Sequence, residues 1–473
     1  MSKIKSLVLG SAAAIVAIGG AQAADLPLKA KAVEYVKVCS LYGAGFYYIP
    51  GTDTCIRLGG YLRAEVNFGS SPTDNTYLNG DGGLGLRTAG DYQSRSRIMV
   101  RIDTRTATEY GVVRTYASFG PQFSFGATNA STDVPGSGSM RVEAAFVQFA
   151  GFTFGRSASA YALPWNGAPG NINAALLGGP NYDAGINNIQ YTWQFGNGVS
   201  ASVGIDQQSR SNRVGVAGAI PNTTYGTYTD AYAAPTAPDI VGRIRLDQAW
   251  GLIQLSAAAH QTTGNYYSLT NPGLGHPDDK WGFAVTGGLQ IKNLPTGPGD
   301  DIKISGTYAE GALRYVLGNS GSTPTNFQVL NGTTFSGVTI ADGVYGGVGT
   351  SIQQTKAYGF NGAFNHNWNR NWSSSVFGSY SHVDYNDTVA TAWGYNPDFN
   401  VSQLGVSTTW KPVKNLALIV EGTWVHIDQN RSGVTPNGTN GTGGATLNTI
   451  ASGIATFGDT NAYSGVFRVQ RDF

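Results

Sequence analysis

Apolar and polar residues alternate with period two along most of the chain. Over residues 56–68, Ile56, Leu58, Leu62, Val66 and Phe68 share one face with Gly60 and Ala64, while Arg57, Tyr61, Arg63, Glu65 and Asn67 take the other. Such alternation marks a strand with one apolar and one wet face. It recurs from Asn188, where Ile189, Tyr191, Trp193 and Phe195 oppose Gln190, Thr192 and Gln194. It resumes at Val199 after Asn197-Gly198, a dipeptide that signals a hairpin. Similar runs cover 240–247, 253–261, 281–291, 301–309, 358–366, 372–383, 401–410, 416–427 and 463–473. No segment has helical periodicity of useful length.

The connections take turns in length. Short ones fall near 107, 150–151, 196–198, 250–251, 292–300, 367–371 and 411–415. Long ones, rich in Gly, Ser, Thr and Asn, span about 69–91, 120–139, 157–187, 209–238, 262–280, 311–354, 386–398 and 429–461. The pattern predicts 16 strands and eight long loops. An even-numbered up-and-down meander of this kind can close into a barrel.

The polarity of the faces then selects the medium. A barrel of about 16 strands encloses water, so its polar face is the lumen and its apolar face meets lipid. Trp193, Phe195, Trp250, Trp368, Trp372 and Trp410 gather beside the short turns, where they would form an interfacial girdle. No repeat of about 40 to 45 residues shares a motif, which argues against a propeller.

Composition narrows the alternatives. Of 473 residues only 12% are charged, and Tyr 25, Phe 20 and Trp 9 stand against Met 3, a balance suited to strands and interfaces. The 66 glycines keep no three-residue period, which excludes collagen. A net charge of +1 provides no basic field for nucleic acid. The chain has no apolar run long enough for a membrane-spanning helix.

Residues 1–23 read as an export signal: Lys3 and Lys5, an apolar stretch from Leu7 to Ile18, then Ala21-Gln22-Ala23 as a small-residue cleavage site. Cleavage is expected after Ala23, leaving a mature net charge of −1. In an oxidising compartment the only two cysteines, Cys39 and Cys55, most simply form one disulfide. The expected organisation is a signal over 1–23, an N-terminal periplasmic segment over 24–55 and a transmembrane barrel over 56–473.

The stretch Val33-Glu34-Tyr35-Val36-Lys37-Val38-Cys39, followed by residues 42–57 from Tyr42-Gly43-Ala44-Gly45-Phe46 to Cys55-Ile56-Arg57, resembles the N-terminal signature of alphaproteobacterial outer-membrane porins. The resemblance extends over nearly the whole chain. At the other end, Phe473 with Val469 and Phe467 on its face is similar to the assembly signal of outer-membrane barrels, although Arg471 stands where an apolar residue is usual. The resemblance implies an all-β, 16-stranded antiparallel up-and-down transmembrane β-barrel with short periplasmic turns and long extracellular loops. It further implies a third loop constricting each pore, a homotrimer in the Gram-negative outer membrane among its lipids, and passive diffusion of small hydrophilic solutes and ions.

In such a channel, permeation depends on steric sieving and on the charges that line the passage. Arg95, Arg97, Arg101, Asp103 and Arg105 share one face of the second strand, opposite Ile98, Val100 and Ile102. Arg63, Arg114 and Arg141 on neighbouring strands extend the ladder, with Glu65 and Glu143 as partners. Turning it toward lipid would cost about 2 to 4 kcal/mol per arginine near the midplane, so the ladder belongs in the lumen. The third loop, 157–187, carries Asp183 as its only charge. A basic wall facing a nearly uncharged loop predicts weak anion preference, unless Asp206, Asp247, Asp301 and Glu421 cancel the ladder.

Other chemistry is thin. The five histidines, His260, His276, His366, His382 and His426, lack metal-ligand spacing and read as surface or girdle residues. Neither a Gly-x-Ser-x-Gly elbow nor a P-loop lysine occurs. No enzyme activity, cofactor, metal or nucleic-acid partner is expected. A substrate-specific channel, or an adhesin or receptor working through the 311–354 loop, are the competing readings.

Overall fold

The computed structural model describes residues 37–69, 92–125, 138–165, 167–172, 176–180, 184–208, 215–218, 231–318, 326–433 and 455–473. The expected export signal and Asp183 lie outside these residues. Sixteen antiparallel strands form the wall: β1 (Thr54–Gly69), β2 (Tyr92–Thr108), β3 (Gly111–Phe125), β4 (Ser139–Phe149), β5 (Phe152–Ser157), β6 (Ile186–Gly196), β7 (Val199–Asp206) and β8 (Asp239–Gln248). They continue as β9 (Gly251–Thr262), β10 (Lys280–Lys292), β11 (Asp301–Glu310), β12 (Lys356–Asn367), β13 (Trp372–Asp384), β14 (Phe399–Trp410), β15 (Leu416–Gln429) and β16 (Thr460–Asp472). Each pairs with its chain neighbours, and β1 pairs with β16 from Tyr61↔Asp472 to Gly69↔Ser464, which closes the barrel and leaves no free edge.

Solvent exposure is inverted relative to a soluble protein. Leu58, Leu62, Ile244, Leu255 and Val420 are each more than half exposed, whereas Glu65, Arg95, Arg97 and Asp103 are buried. The apolar face therefore looks outward, as lipid requires, and the charged face inward. All six aromatic residues expected in the girdle are exposed at the turn end, where Trp372 and Trp410 stack at 5.7 Å. A second aromatic group, including Tyr92, Trp281, Tyr358 and Tyr463, is exposed toward the loop end.

Turn chemistry sets the strand register. Phe149↔Phe152 closes over Ala150-Gly151 and Gly196↔Val199 over Asn197-Gly198. In both turns both central residues have positive φ: 48° and 87° in the first, 50° and 76° in the second. This is the backbone twist that two-residue hairpins favour.

Below β1, the disulfide Cys39–Cys55 folds a small lobe whose Tyr47–Tyr48 strand adds to the β1 start. Phe46 is buried against the bridge.

Two long loops turn inward. The third, between β5 and β6, crosses the lumen; the sixth, between β11 and β12, fills part of its loop-side half. Leu313, Val316, Phe327, Val329, Ile340 and Val344 of the sixth loop form one apolar core with Tyr161 and Leu177 of the third and the inward residues Ala258, Ala284, Ala309 and Ala357. Two consequences depart from the sequence reading. Near the loop end of β8–β16 the inward face is apolar, with Val401, Val425 and Ile427 buried in the same core. The 311–354 segment, on which the competing adhesin or receptor reading rests, contributes heavily to that core.

Candidate functional site

The ladder arginines all lie on inward strand positions, where they divide into groups around acids. Arg95 of β2 and Arg468 of β16 hold Glu65 of β1 from two sides, Arg468 Nε at 2.7 Å. Arg97 of β2 and Arg141 of β4 each reach Glu143 at 3.5 Å, and Arg97 also donates to Gln122 Oε1. Asp103 receives Arg114 at 3.0 Å, Arg105 at 3.2 Å and Arg57 at 3.5 Å. Arg63 and Arg101 place their guanidinium carbons 4.8 and 5.3 Å from the Tyr61 ring centroid, while the Tyr61 hydroxyl donates to Glu143 at 3.0 Å.

Register explains why these groups meet. Arg63 lies directly opposite Arg97 across β1 and β2, and Arg105 opposite Arg114 across β2 and β3. Facing like charges oppose strand pairing, so local carboxylates and a stacking ring are needed to hold them. The groups together set nine guanidinium groups against three carboxylates. Their surplus positive charge lies on β1–β4 and β16.

Loop 3 packs against the other side. Gln254 of β9 donates to the Ala162 carbonyl at 2.9 Å, Lys303 of β11 to the Pro169 carbonyl at 3.0 Å, and Ser407 of β14 to the Gly170 carbonyl at 3.1 Å. Further along, Gln403 Oε1 accepts the Leu177 amide at 2.7 Å. At Ile172 the loop reaches the ladder, where its amide donates to Glu421 and its carbonyl accepts from Arg468 Nη1 at 3.0 Å.

The four acids weighed as cancelling charges serve other bonds. Asp206 accepts from Ser159 of loop 3, Glu421 from Ile172, and Asp247 pairs with Arg245. Asp301 pairs with Lys303 at 3.1 Å. Asp183, expected to face the ladder, falls outside the described residues.

Two side chains of these groups, Arg57 and Arg468, escaped the sequence reading, as did the position of Asp103 at the centre of three arginines. Arg57 lies directly opposite Asp103 in the β1–β2 pairing, and the β1–β16 closure sets Arg468 opposite Glu65. His260 also departs from its surface reading. It is buried, with Nδ1 2.7 Å from Asp239 Oδ1 and Nε2 2.9 Å from the Tyr232 hydroxyl, and Asp342 of the sixth loop lies beside it. Burial raises the Asp342 carboxyl above its usual range despite the His260 contact. Among the described residues no group has metal-binding geometry.

A closed barrel of sixteen strands, apolar outside, charged within and crossed by an inward loop, defines a multi-pass β-barrel protein of the outer membrane. The chain belongs to the porin family, matching the Porin subfamily over residues 25–453. It is 36% identical over 258 residues to porin Omp2b of Brucella abortus (strain 2308), a match covering 53% of this chain and 64% of that protein. Omp2b of Brucella suis biovar 1 (strain 1330) matches to the same extent. The match thus spans just under two thirds of these relatives. Among solved structures, the outer membrane channel DcaP of Acinetobacter baumannii has the same fold, with TM-score 0.58 and 16% identity over 90% of this chain and 99% of that one.

Proposed function

We propose that the protein is a general porin: a water-filled channel for passive diffusion of small hydrophilic solutes and ions, assembled as a homotrimer. Solutes pass between the arginine wall of β1–β4 and β16 and the loop 3 backbone. No bond is made or broken, and the half-buried Arg63, Arg101 and Arg141 present the wall's charge to the passing solute. The observation that carries this reading is the excess of guanidinium over carboxylate groups on one wall. In a narrow passage with low-dielectric walls, that excess concentrates anions and repels cations. Weak anion preference follows.

Single-channel recording of the refolded protein in a planar bilayer tests the reading. Triplet conductance steps that scale with salt, with a reversal potential of anionic sign under a salt gradient, are expected. Silence from a folded barrel would overturn the channel, and a cationic sign would overturn the role of the arginine wall.

A further inference from the structure

A second basic cluster stands at the turn end, built from three strands and the disulfide lobe. Arg57 of β1, Arg105 of β2 and Arg114 of β3 converge on Asp103. Asp103 has a side-chain exposure of 2%, against 47%, 27% and 27% for Arg57, Arg105 and Arg114, so the carboxylate is consumed inside the cluster while the cations remain open to the lumen. One carboxylate offsets one of three guanidinium charges. Around Glu65 and Glu143, with Arg63 and Arg101 on Tyr61, the ratio is also three to one, but there Arg95, Arg97 and Arg468 are buried, so the cluster at Asp103 is the one whose cations are all at least partly exposed.

The lobe gives the cluster shape. Arg57 and Arg105 place their guanidinium carbons 5.0 and 4.9 Å from the Phe46 ring centroid, and Arg105 lies 5.6 Å from that of Tyr42. A guanidinium stacked on a ring keeps its in-plane N–H donors available for a planar or tetrahedral oxyanion. Phe46 is itself fixed by Cys39–Cys55. Of the five donors on each guanidinium, Arg105 directs two bonds at Asp103, and Arg114 two at Asp103 and one at Gln148.

We propose that Arg57 and Arg105, backed by Phe46, and Arg114, backed by Tyr116 and Phe146, form around Asp103 a binding site for a small doubly charged oxyanion of the phosphate or dicarboxylate class at the turn-side mouth. The site rests on the porin reading only for how the ligand arrives. Anions drawn past the arginine wall would dwell here before release.

The test is calorimetric titration of the folded full-length protein in detergent at low salt and pH 8, with inorganic phosphate in one series and succinate in another. Saturable uptake of one ion per chain is expected, and the tighter probe identifies the class. Arg57→Gln with Arg105→Gln should weaken binding about tenfold or more. Arg63→Gln with Arg101→Gln should leave it essentially unchanged. Cys39→Ser with Cys55→Ser should weaken it without removing it. Heat-modifiable migration on gels confirms that each variant is a folded barrel. Absence of saturable uptake by the unaltered protein overturns the site, as does equal loss in the Arg63 and Arg101 variant, which would show a diffuse field. Because binding is read without current, a silent bilayer bears on the porin reading alone.

Discussion

The backbone amide of Ile172, in loop 3, donates to Glu421 Oε2 on β15 at 2.6 Å. Arg468 takes the carbonyl of the same residue, so a single peptide position is clamped by an acid and a base from adjacent strands. Both clamps are buried. A hydrogen bond to a charged group contributes about 1.5 to 3 kcal/mol, enough to decide where a loop rests. Glu421→Ala should therefore release this part of loop 3 and give larger, noisier single-channel steps while the barrel remains folded. Steps of unchanged size and noise would count against the clamp.

Selectivity rests on the half-buried members of the ladder rather than on the buried ones. Reversing Arg97 would set two carboxylates beside each other, because Arg97 is buried against Glu143, and folding would suffer. Arg63 and Arg101 stack on Tyr61 and are only half-buried. Arg63→Gln with Arg101→Gln is the cleaner variant. Reversal potential under a salt gradient should move toward cations. An unmoved potential would place the selective charges elsewhere.

The barrel was legible in the sequence because lipid and water impose opposite demands on successive residues, so Leu58 and Arg57 cannot exchange faces. Asn197-Gly198 marked its hairpin for a reason equally local. The inward packing of the sixth loop was not legible. Its partners on the wall are Ala258, Ala284 and Ala309, which read as unremarkable small residues until Val316 and Phe327 lie over them. The loop clamp was hidden by distance, since Ile172 and Glu421 are 249 residues apart and meet only when the barrel closes. Ladder positions followed from alternation, but their grouping around Glu65, Glu143 and Asp103 depends on strand register.

Acid should loosen the turn between β10 and β11. Burial opposes ionisation of Asp300, but the Asn367 amide at 2.8 Å, the Thr296 hydroxyl at 2.7 Å and His366 at 2.6 Å outweigh it and hold the carboxyl at about 2, below its ordinary 3.8. A carboxyl held low in the folded state stabilises above its unfolded value, and that contribution disappears as pH falls through the folded one. Thermal stability should decline between about pH 4 and pH 2, and Asp300→Asn should flatten this part of the profile. An Asp300→Asn profile matching the unaltered protein would assign the acid loss to other groups.

Two hairpins of the same geometry carry different residues at the first turn position, and the difference predicts a stabilising substitution. Ala150 has φ 48° and Asn197 has φ 50°, each followed by a glycine of positive φ. A residue with a Cβ pays about 1 to 2 kcal/mol in this region, whereas asparagine enters it more readily through local hydrogen bonding. Ala150 is exposed in its turn, so a larger polar side chain meets no packing constraint. Ala150→Asn should raise the unfolding free energy of the refolded barrel, read from the shift in its denaturation midpoint, by about 0.5 to 1 kcal/mol, and Asn197→Ala should lower it by a similar amount. Ala150→Val should be worse than either, because branching at Cβ aggravates the same clash. If Ala150→Asn and Ala150→Val gave equal stability, backbone strain at this turn would not be what limits it.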